Sequence, residues 1–465
     1  MKIKILSVLM LVLLLASSTS KATKPVIIMG TSSSNIFKEF QIDRSSYSKD
    51  TANSKKQGES VCQFDIDTVE IRELYSRSEG NCFYAEVFVT PGDSISFEVS
   101  YIGKAENPGC ENHYEIIFHG KNAAHYNYYS KKEKHFPSKE RLFYEYGNDL
   151  DTFKQQQQLY RDREIQFLLD YKKQYPISED FFNYANAEIQ NSYAFKLYQA
   201  VYISNKNPNG YLDDVVIKDN PLSFWTIETL YFKYIYDSSD ENIECMYEKI
   251  KKEVNSTYRT RVLTTFIKFF SEKGENIYRE PLLRLMNQIE QEHNDSTLLA
   301  CVQEYKPYPL LLGKTLPDSV LDNIYLRSFE TGEKITLRNL FEKYQDKAIY
   351  IDTWASWCKP CRDAIKGSTF SKSYLTQKNI STVYLSMDDD EEAWLRAIQE
   401  DGITENQYIL DDNSVWDSPF MRFFKINSIP RYILFNKYHE IEVLSAPGPT
   451  ERFFEKLKTS IERLP

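Results

Sequence analysis

The chain has 465 residues, a formal net charge of −10 at neutral pH and 42% hydrophobic residues. This length is too great for one ordinary domain and indicates two or three domains. The acidic balance and the lack of a basic patch argue against a nucleic-acid partner.

The first 22 residues have the pattern of a secretory signal peptide. Lys2 and Lys4 precede an apolar run from Ile5 to Ala16, and Ser20-Lys21-Ala22 offers a small-x-small cleavage site. The apolar run is short for a bilayer span. We therefore expect cleavage that leaves no stable membrane span, and a mature chain in the periplasm or cell envelope. An uncleaved N-terminal anchor is the alternative.

Residues 23–123 are predicted to form a strand-rich module. Segments of strand composition are Val26–Met29, Ala85–Val89, Ser94–Val99 and Tyr114–Phe118. Pro91-Gly92-Asp93 indicates a turn, because proline presets φ and glycine tolerates a positive φ. We expect a small antiparallel sandwich or partial barrel. The run from Val89 to Ser96 resembles the N-terminal β-module attached to many bacterial envelope TlpA-like proteins.

Four histidines lie in or just beyond this module: His113, His119, His125 and His135. They lack the i, i+4 helical spacing of paired metal ligands, so ordinary surface or hydrogen-bonded histidines are favoured over a metal site.

Residues 124–305 are predicted to be helical. Apolar and aromatic residues recur at helical spacing in two stretches, 153–171 and 182–200. Further helical runs are Leu222–Tyr236, Glu241–Phe270 (with one break) and Pro281–His293. We expect about five to seven helices in a bundle-like arrangement whose aromatic stripes form core. A platform for docking a partner or a substrate is the functional expectation for this part.

The seven cysteines form two groups. Cys358 and Cys361 are the candidate redox pair. The other five are Cys62, Cys82, Cys110, Cys245 and Cys301. Two interpretations of these five cysteines remain, because connectivity does not follow from sequence. Either the first three include one structural disulfide, or most of the five are buried reduced thiols.

Residues 306–465 contain the candidate catalytic residues. Lys306-Pro307-Tyr308-Pro309 suggests a stiff linker before this part. The apolar run Ala348–Trp354 predicts a buried strand, followed by a short loop and by Cys358 and Cys361 at the start of a helix. Unpaired N–H groups at a helix N-terminus favour a thiolate there. The second cysteine is one turn away, so the pair can attack a disulfide and resolve the mixed intermediate.

This region resembles the thioredoxin superfamily. Trp357-Cys358-Lys359-Pro360-Cys361 matches W-C-x-P-C, Asp352 stands where thioredoxins carry a buried acid, and Ile429-Pro430 stands where they carry a cis-proline. Gly313–Asp318 resembles the opening of TlpA-like and ResA-like domains. A zinc knuckle would need a second ligand pair, and none lies near Cys358 in the sequence.

The resemblance implies a role for each matched residue. Cys358 would be the more exposed nucleophile and Cys361 the resolving thiol. Asp352 would be buried, with a raised pKa, and would exchange a proton with Cys361. Trp357 would line the substrate face, and the Ile429 backbone beside cis-Pro430 would pair with an extended peptide. A plain strand-edge acid is the alternative for Asp352.

The rest of the domain is predicted as a mixed sheet with helices on both faces. Gly367 would interrupt the Cys358 helix, and Thr382–Met387 would be the next strand. Asp388-Asp389-Asp390 would cap the helix Glu391–Glu400. Arg431–Phe435 and Glu440–Leu444 would form a hairpin, followed by the closing helix Thr450–Leu464.

The function expected from these features is thiol–disulfide exchange in the cell envelope, in the direction of reduction. It would use protein thiol or disulfide substrates and a membrane thiol donor, with no cofactor and no metal. A thiol peroxidase and a binding protein with an auxiliary redox pair are the alternatives. Ala364-Ile365 replaces the glutamate and following residue usual in TlpA-like and ResA-like proteins, which weakens a specific haem-maturation role.

Overall fold

The computed structural model describes residues 23–32, 40–44, 55–56, 59–78, 81–104, 112–136, 143–204, 210–236, 242–292, 295–412 and 414–465. The predicted signal peptide 1–22, Cys110, Glu241 and His293 lie outside these residues, as do the side chains of Cys82 and His113. Within the part described, no helix is both long enough and apolar enough to cross a membrane. Contacts divide the chain into two compact units, residues 1–201 with 207–229 and residues 202–206 with 230–465.

The first unit contains an eight-stranded sheet. Its strands are β1 (Lys24–Ser32), β2 (Gln41–Arg44), β3 (Lys55–Lys56), β4 (Glu59–Ile66), β5 (Glu70–Ser78), β6 (Asn81–Val89), β7 (Ser94–Lys104) and β8 (Asn112–Gly120). All four strand segments expected from the sequence are confirmed. The order across the sheet is β2-β5-β6-β8-β7-β1-β4-β3.

The expectation of a purely antiparallel module is wrong, because β1 pairs with β7 and β6 with β8 in parallel. The predicted turn is present: Gly92 has φ 86° and the Asp93 N–H donates to the Thr90 carbonyl. However, β8 lies between the two strands that this turn joins. Because β8 runs antiparallel to β7, it must run parallel to β6.

Helices cover one face of this sheet. They are α1 (Ala123–His135), α2 (Leu150–Gln174) and α3 (Glu179–Ser204). Helix α4 (Phe224–Tyr231) follows in the sequence and continues as a π-helical turn at Phe232–Tyr236. Phe88 of β6 packs with residues of α1, α2 and α3, including Tyr128, Leu168 and Phe181. The other face forms a second core with Ile28, Phe97 and residues of both ends of the sheet. The helical periodicities of residues 153–171 and 182–200 are thus confirmed.

The second unit begins with further helices. They are α5 (Ile243–Glu253), α6 (Ser256–Lys273), α7 (Arg279–Glu292), α8 (Ser296–Tyr305) and α9 (Pro307–Leu311), with a 3₁₀ turn at Asn276–Tyr278. The single break expected in the run 241–270 lies at Val254-Asn255, where the Asn255 side chain caps α6. The helices of the region 124–305 therefore fall in both units, and the predicted domain boundaries stay predictions.

The C-terminal part of this unit is built on a seven-stranded sheet. Its strands are β9 (Tyr325–Ser328), β10 (Lys334–Thr336), β11 (Ala348–Trp354), β12 (Ile380–Ser386), β13 (Gln407–Leu410), β14 (Arg431–Phe435) and β15 (Ile441–Val443). Its helices are α10 (Asp318–Leu321), α11 (Leu337–Lys343), α12 (Lys359–Lys366), α13 (Thr369–Gln377), α14 (Glu391–Asp401), α15 (Pro419–Phe424) and α16 (Phe454–Glu462). The order across the sheet is β10-β9-β13-β12-β11-β14-β15.

The predicted mixed sheet with two covered faces is confirmed. β11, β12 and β13 run parallel, and β14 runs antiparallel to β11. Because side chains alternate along a strand, Ile349 and Ile351 face a core that includes α11, α14 and α15. Ala348 and Tyr350 face a core with α13 and α16. The Cys358 helix ends at Lys366 with Gly367 as its cap, as predicted.

The helices α6–α9 are joined to the edge of this sheet by backbone hydrogen bonds. The Leu444 N–H donates to the Gly274 carbonyl at 2.9 Å, and the Gly313 N–H donates to the Ile441 carbonyl at 2.8 Å. The predicted linker at 306–309 is instead the start of helix α9, whose Tyr308 packs against the core around the cysteines. Two prolines at a helix start are compatible with helix, since N-terminal N–H groups need no helical partner.

Candidate functional site

Strand β11 leads into the loop and the helix that carry the redox pair. All seven of its residues are buried, as expected for a central strand with both faces covered. The chain then crosses Ala355–Trp357 and enters α12, with Cys358 as the N-cap residue and Pro360 in the first turn. Cys358 and Cys361 are disulfide-bonded, with their Cα atoms 5.3 Å apart. The pairing expected from the sequence is therefore present.

The helix N-terminus acts on the first cysteine. The Cys361 backbone N–H donates to the Cys358 Sγ at 3.3 Å. An N–H group aimed at this sulfur stabilises negative charge on it once the disulfide opens. Cys358 is 4% exposed and Cys361 is fully buried, so Cys358 is the slightly more accessible residue of the pair. Lys359 is ion-paired with Asp363.

Asp388 holds the loop in front of the cysteines. Its carboxylate accepts the Ser356 N–H at 2.8 Å, the Ser356 hydroxyl at 2.6 Å and the Ser386 hydroxyl at 2.7 Å. Asp388 is 2% exposed. Buried charged hydrogen bonds of this kind are strong and directional, so Ser356 is fixed two residues before Cys358.

The three consecutive aspartates have three different partners, and the expectation that they jointly cap a helix is corrected. Only Asp390 caps α14, accepting the Glu392 and Ala393 N–H groups. Asp389 accepts the Val415 N–H at 3.1 Å. The partners of Asp388 and Asp389 follow from the sheet topology and not from the local sequence. β11 and β12 are parallel neighbours, so residues that follow them lie at the same edge of the sheet.

Arg362 holds the same loop from the other side. Its guanidinium donates to the Ser356 carbonyl at 3.3 Å and pairs with Asp401 and Glu400. The hydrogen bond from Arg362 keeps the pKa of Asp401 below its usual value. Ser356 is thus bonded at its N–H, its hydroxyl and its carbonyl.

Asp352 is buried in β11, as its position implied. It is 1% exposed, and neither carboxylate oxygen has a hydrogen-bond partner among the described residues. Burial raises the pKa of Asp352 well above 3.8, and the charge of Lys372 opposes this shift. An acid of this kind can hold a proton near neutral pH. Its part in proton exchange with Cys361 stays a prediction.

The Ile429–Pro430 peptide bond is cis, as the resemblance implied. The next residue is anchored to β11: the Thr353 hydroxyl donates to the Arg431 carbonyl at 2.8 Å and accepts the Arg431 N–H at 3.0 Å. Ile429 packs against the core cluster that contains Cys358 and Cys361. The structure therefore places Ile429 against the same core cluster as the cysteine pair, and the role of Ile429 and Pro430 in peptide binding stays a prediction.

Trp357 lies on the surface, with 60% of its area exposed. Its ring is 6.2 Å from that of Trp416, which the sequence analysis did not single out. Trp416 lies in a 3₁₀ turn at Val415–Asp417. No local pattern marks this residue, because its proximity to Trp357 arises from the loop that Asp389 holds.

Comparison with known proteins concerns the C-terminal third. Residues 346–441 match the family model described as thioredoxin-like. No curated protein matches the chain. Among solved structures, it is similar to the thioredoxin domain of a thiol-disulfide oxidoreductase from Bacteroides vulgatus, with 22% identity, 33% of this chain and 96% of that chain covered, and a TM-score of 0.26.

Two further solved structures have comparable overlap. A thiol-disulfide oxidoreductase from Bacteroides fragilis is 26% identical over 28% of this chain and 87% of that chain, with a TM-score of 0.23. A thiol:disulfide interchange protein from Bacteroides sp. is 20% identical over 32% of this chain and 90% of that chain, with a TM-score of 0.27. Residues 346–441, which match the thioredoxin-like family model, thus contain the buried strand β11, the bonded cysteines and the cis-proline.

Proposed function

We propose that this protein is a thiol–disulfide oxidoreductase of the cell envelope that reduces disulfides in protein substrates. The observation that carries the proposal is the Cys358–Cys361 disulfide at the start of α12, with the Cys361 N–H directed at the Cys358 Sγ. The envelope location is supported by the N-terminal Lys2 and Lys4 with the apolar run that follows them.

The reaction begins from the reduced pair. The Cys358 thiolate attacks one sulfur of a substrate disulfide, and the other substrate sulfur leaves as a thiolate that takes up a proton. The Cys361 thiol then loses its proton to the ionised form of Asp352, and the resulting thiolate attacks the Cys358 Sγ. The second substrate thiolate leaves, the protein disulfide forms, and two electrons have passed to the substrate.

Different neighbouring groups act on the two cysteines. The helix N-terminus stabilises the Cys358 thiolate, and burial of Cys361 keeps it from reacting with substrates in solution. Among the residues that the structure describes, neither carboxylate oxygen of Asp352 has a hydrogen-bond partner. Re-reduction requires a thiol donor, for which a membrane thiol carrier is the proposed source in an oxidising compartment.

The direction of reaction is tested by the reduction potential. The full mature chain is equilibrated with glutathione or dithiothreitol buffers, and the pair is followed by thiol trapping. A potential near about −270 mV supports a reductase, whereas a value near about −120 mV makes the protein an oxidant or isomerase. The absence of a titratable pair would favour the binding-protein alternative.

The order of the two cysteines is tested by trapping in a Cys245→Ser background, since Cys245 is exposed. Cys361→Ser should accumulate a mixed disulfide through Cys358, because the resolving thiol is missing. Cys358→Ser should form none. Mixed disulfide of equal amount in both variants would contradict the assigned roles.

A further inference from the structure

Two of the five tryptophans are exposed, and their rings lie close together, with Trp357 directly before Cys358 in the sequence. Trp357 is 60% exposed and Trp416 is 37% exposed, with their rings tilted by 38° at 6.2 Å. By contrast, Trp354 and Trp394 are 0% and 1% exposed. A large aromatic surface left in water is unfavourable, and an exposed apolar patch of this kind is typical of a contact site.

Both rings are carried by backbone that the protein holds in place. Trp357 follows Ser356, whose N–H and hydroxyl are bound by Asp388. Trp416 follows Val415, which is 1% exposed and whose N–H is bound by Asp389. Asp388 and Asp389, which both follow β12, thus hold the residues directly before Trp357 and Trp416. A preordered pair loses less entropy on binding than two free side chains would.

The pair adjoins the proposed exchange site through Trp357, which is the residue before Cys358. Ile429 is partly exposed and packs against the core cluster that contains both cysteines. The nearest lysine in the sequence, Lys359, is already paired with Asp363. The two exposed indole rings offer apolar contact to a substrate at this surface.

We propose that Trp357 and Trp416 form a subsite for an aromatic or large aliphatic side chain next to the target cysteine of an extended substrate peptide. The proposal rests on the exchange function assigned above and adds a substrate class to it. Aromatic rings pack on such side chains in offset or edge-to-face geometry. Trp416 is the specificity-determining member, because Trp357 adjoins the nucleophile and contacts any substrate.

The test compares two peptide disulfides that differ only by phenylalanine or serine beside the cysteine. The reduced full chain is mixed with each, and the released thiol peptide is quantified by chromatography. We expect the native protein to react about tenfold faster with the phenylalanine peptide. Trp416→Ala should bring this ratio close to one, and Trp416→Phe, which keeps a ring, should give an intermediate ratio.

Tyr438→Ala is the matched control. Tyr438 is 61% exposed, but it follows β14 at the end of the sheet opposite to the cysteines. This variant should keep both the activity and the tenfold ratio. A native ratio near one, or an unchanged ratio in Trp416→Ala, would overturn the subsite.

Two further measurements separate this proposal from the exchange function. If the native protein fails to reduce hydroxyethyl disulfide, the exchange function is wrong. Calorimetric binding of cysteine-free versions of the two peptides then decides the subsite by itself, through a preference that Trp416→Ala removes. If sedimentation shows a dimer that Trp416→Ala dissociates, the pair is covered by a second copy and the peptide subsite is refuted.

Discussion

The carboxylate of Asp388 binds both the backbone N–H and the hydroxyl of Ser356, at 2.8 and 2.6 Å. Asp388 follows β12 and Ser356 follows β11, so the bond ties together the ends of two parallel strands. The redox loop is thereby braced from outside its own segment. Its geometry depends on a residue 32 positions further along the chain.

Asp388→Ala should destabilise the thioredoxin-like domain by about 2–4 kcal/mol, because one buried and two partly buried donors lose their acceptor. Asp388→Asn should cost less, since its amide oxygen still accepts a hydrogen bond. Urea unfolding monitored by circular dichroism measures both. The control is Asp390→Ala, which removes only a helix cap worth about 1 kcal/mol. Equal losses for Asp388→Ala and Asp390→Ala would contradict the bracing role.

Asp352 should make the domain less stable as the pH rises from about 4. The native pKa is raised by burial, so above the unfolded value of about 3.9 the native state binds a proton that the unfolded chain has released. Stability therefore falls with pH until Asp352 ionises in the folded protein. Asp352→Asn should flatten this dependence and be the more stable protein at neutral pH. Denaturant unfolding of the oxidised form between pH 4 and 8 measures the effect, and parallel curves for the two proteins would refute it.

His125 should have the opposite effect on the pH dependence of stability, and it should act on the first unit. It is 1% exposed and accepts the Ser178 N–H at Nε2, and burial lowers its pKa to about 4, against an opposing effect of Asp93. Between about pH 6.5 and 4 the unfolded chain binds a proton that the native state excludes, so stability falls as the pH falls.

Hydrogen exchange at amides of α1 and β6, measured across this pH range, follows the stability of the region around His125. His125→Gln keeps an acceptor for Ser178 and should remove the pH dependence. His119→Gln is the control, since the His119 side chain is 52% exposed. An equal effect of both substitutions would contradict the assignment to His125.

Gly274 should be less tolerant of alanine than Gly402, although both end helices with a positive φ. The φ angles are 55° and 64°. A Cβ at Gly274 would lie 2.7 Å from the Leu444 Cβ, whereas a Cβ at Gly402 meets no atom within 4 Å. Gly402→Ala should cost about 1 kcal/mol from backbone strain alone.

Gly274→Ala should cost clearly more, because it also separates α6 from the sheet edge at Leu444. The difference between the two losses in chemical unfolding isolates the attachment of the helices. Losses of the same size would mean that this contact contributes no stability.

Local patterns predicted much of the fold. Strands such as β6 and β7 and helices such as α3 and α6 follow from alternation, helical periodicity and caps, which are properties of adjacent residues. The break in the run 241–270 likewise follows from a local cap at Asn255. Pairing partners do not follow from such patterns, so the insertion of β8 between β6 and β7 was missed.

The candidate site divides in the same way. The order strand, loop, Cys358, Cys361 and the later Ile429-Pro430 were visible because each is a contiguous motif. The separate partners of Asp388 and Asp389 and the position of Trp416 were not visible, since each depends on which strand ends lie side by side. Tyr308 was assigned to a linker because two prolines flank it. It instead lies in helix α9 and packs against the core cluster that contains the cysteines.

The sequence by itself determined the redox pair, the buried strand before it and the acid at Asp352, because these depend on neighbours in the chain. The tertiary structure alone decided that Asp388 braces Ser356, that Trp416 joins Trp357, and that α6 and α9 attach to the thioredoxin-like sheet. The reason is physical: the parallel order of β11 and β12 brings Asp388 to Ser356, and backbone hydrogen bonds with Ile441 and Leu444 attach the helices. Such contacts join residues that are far apart in the chain.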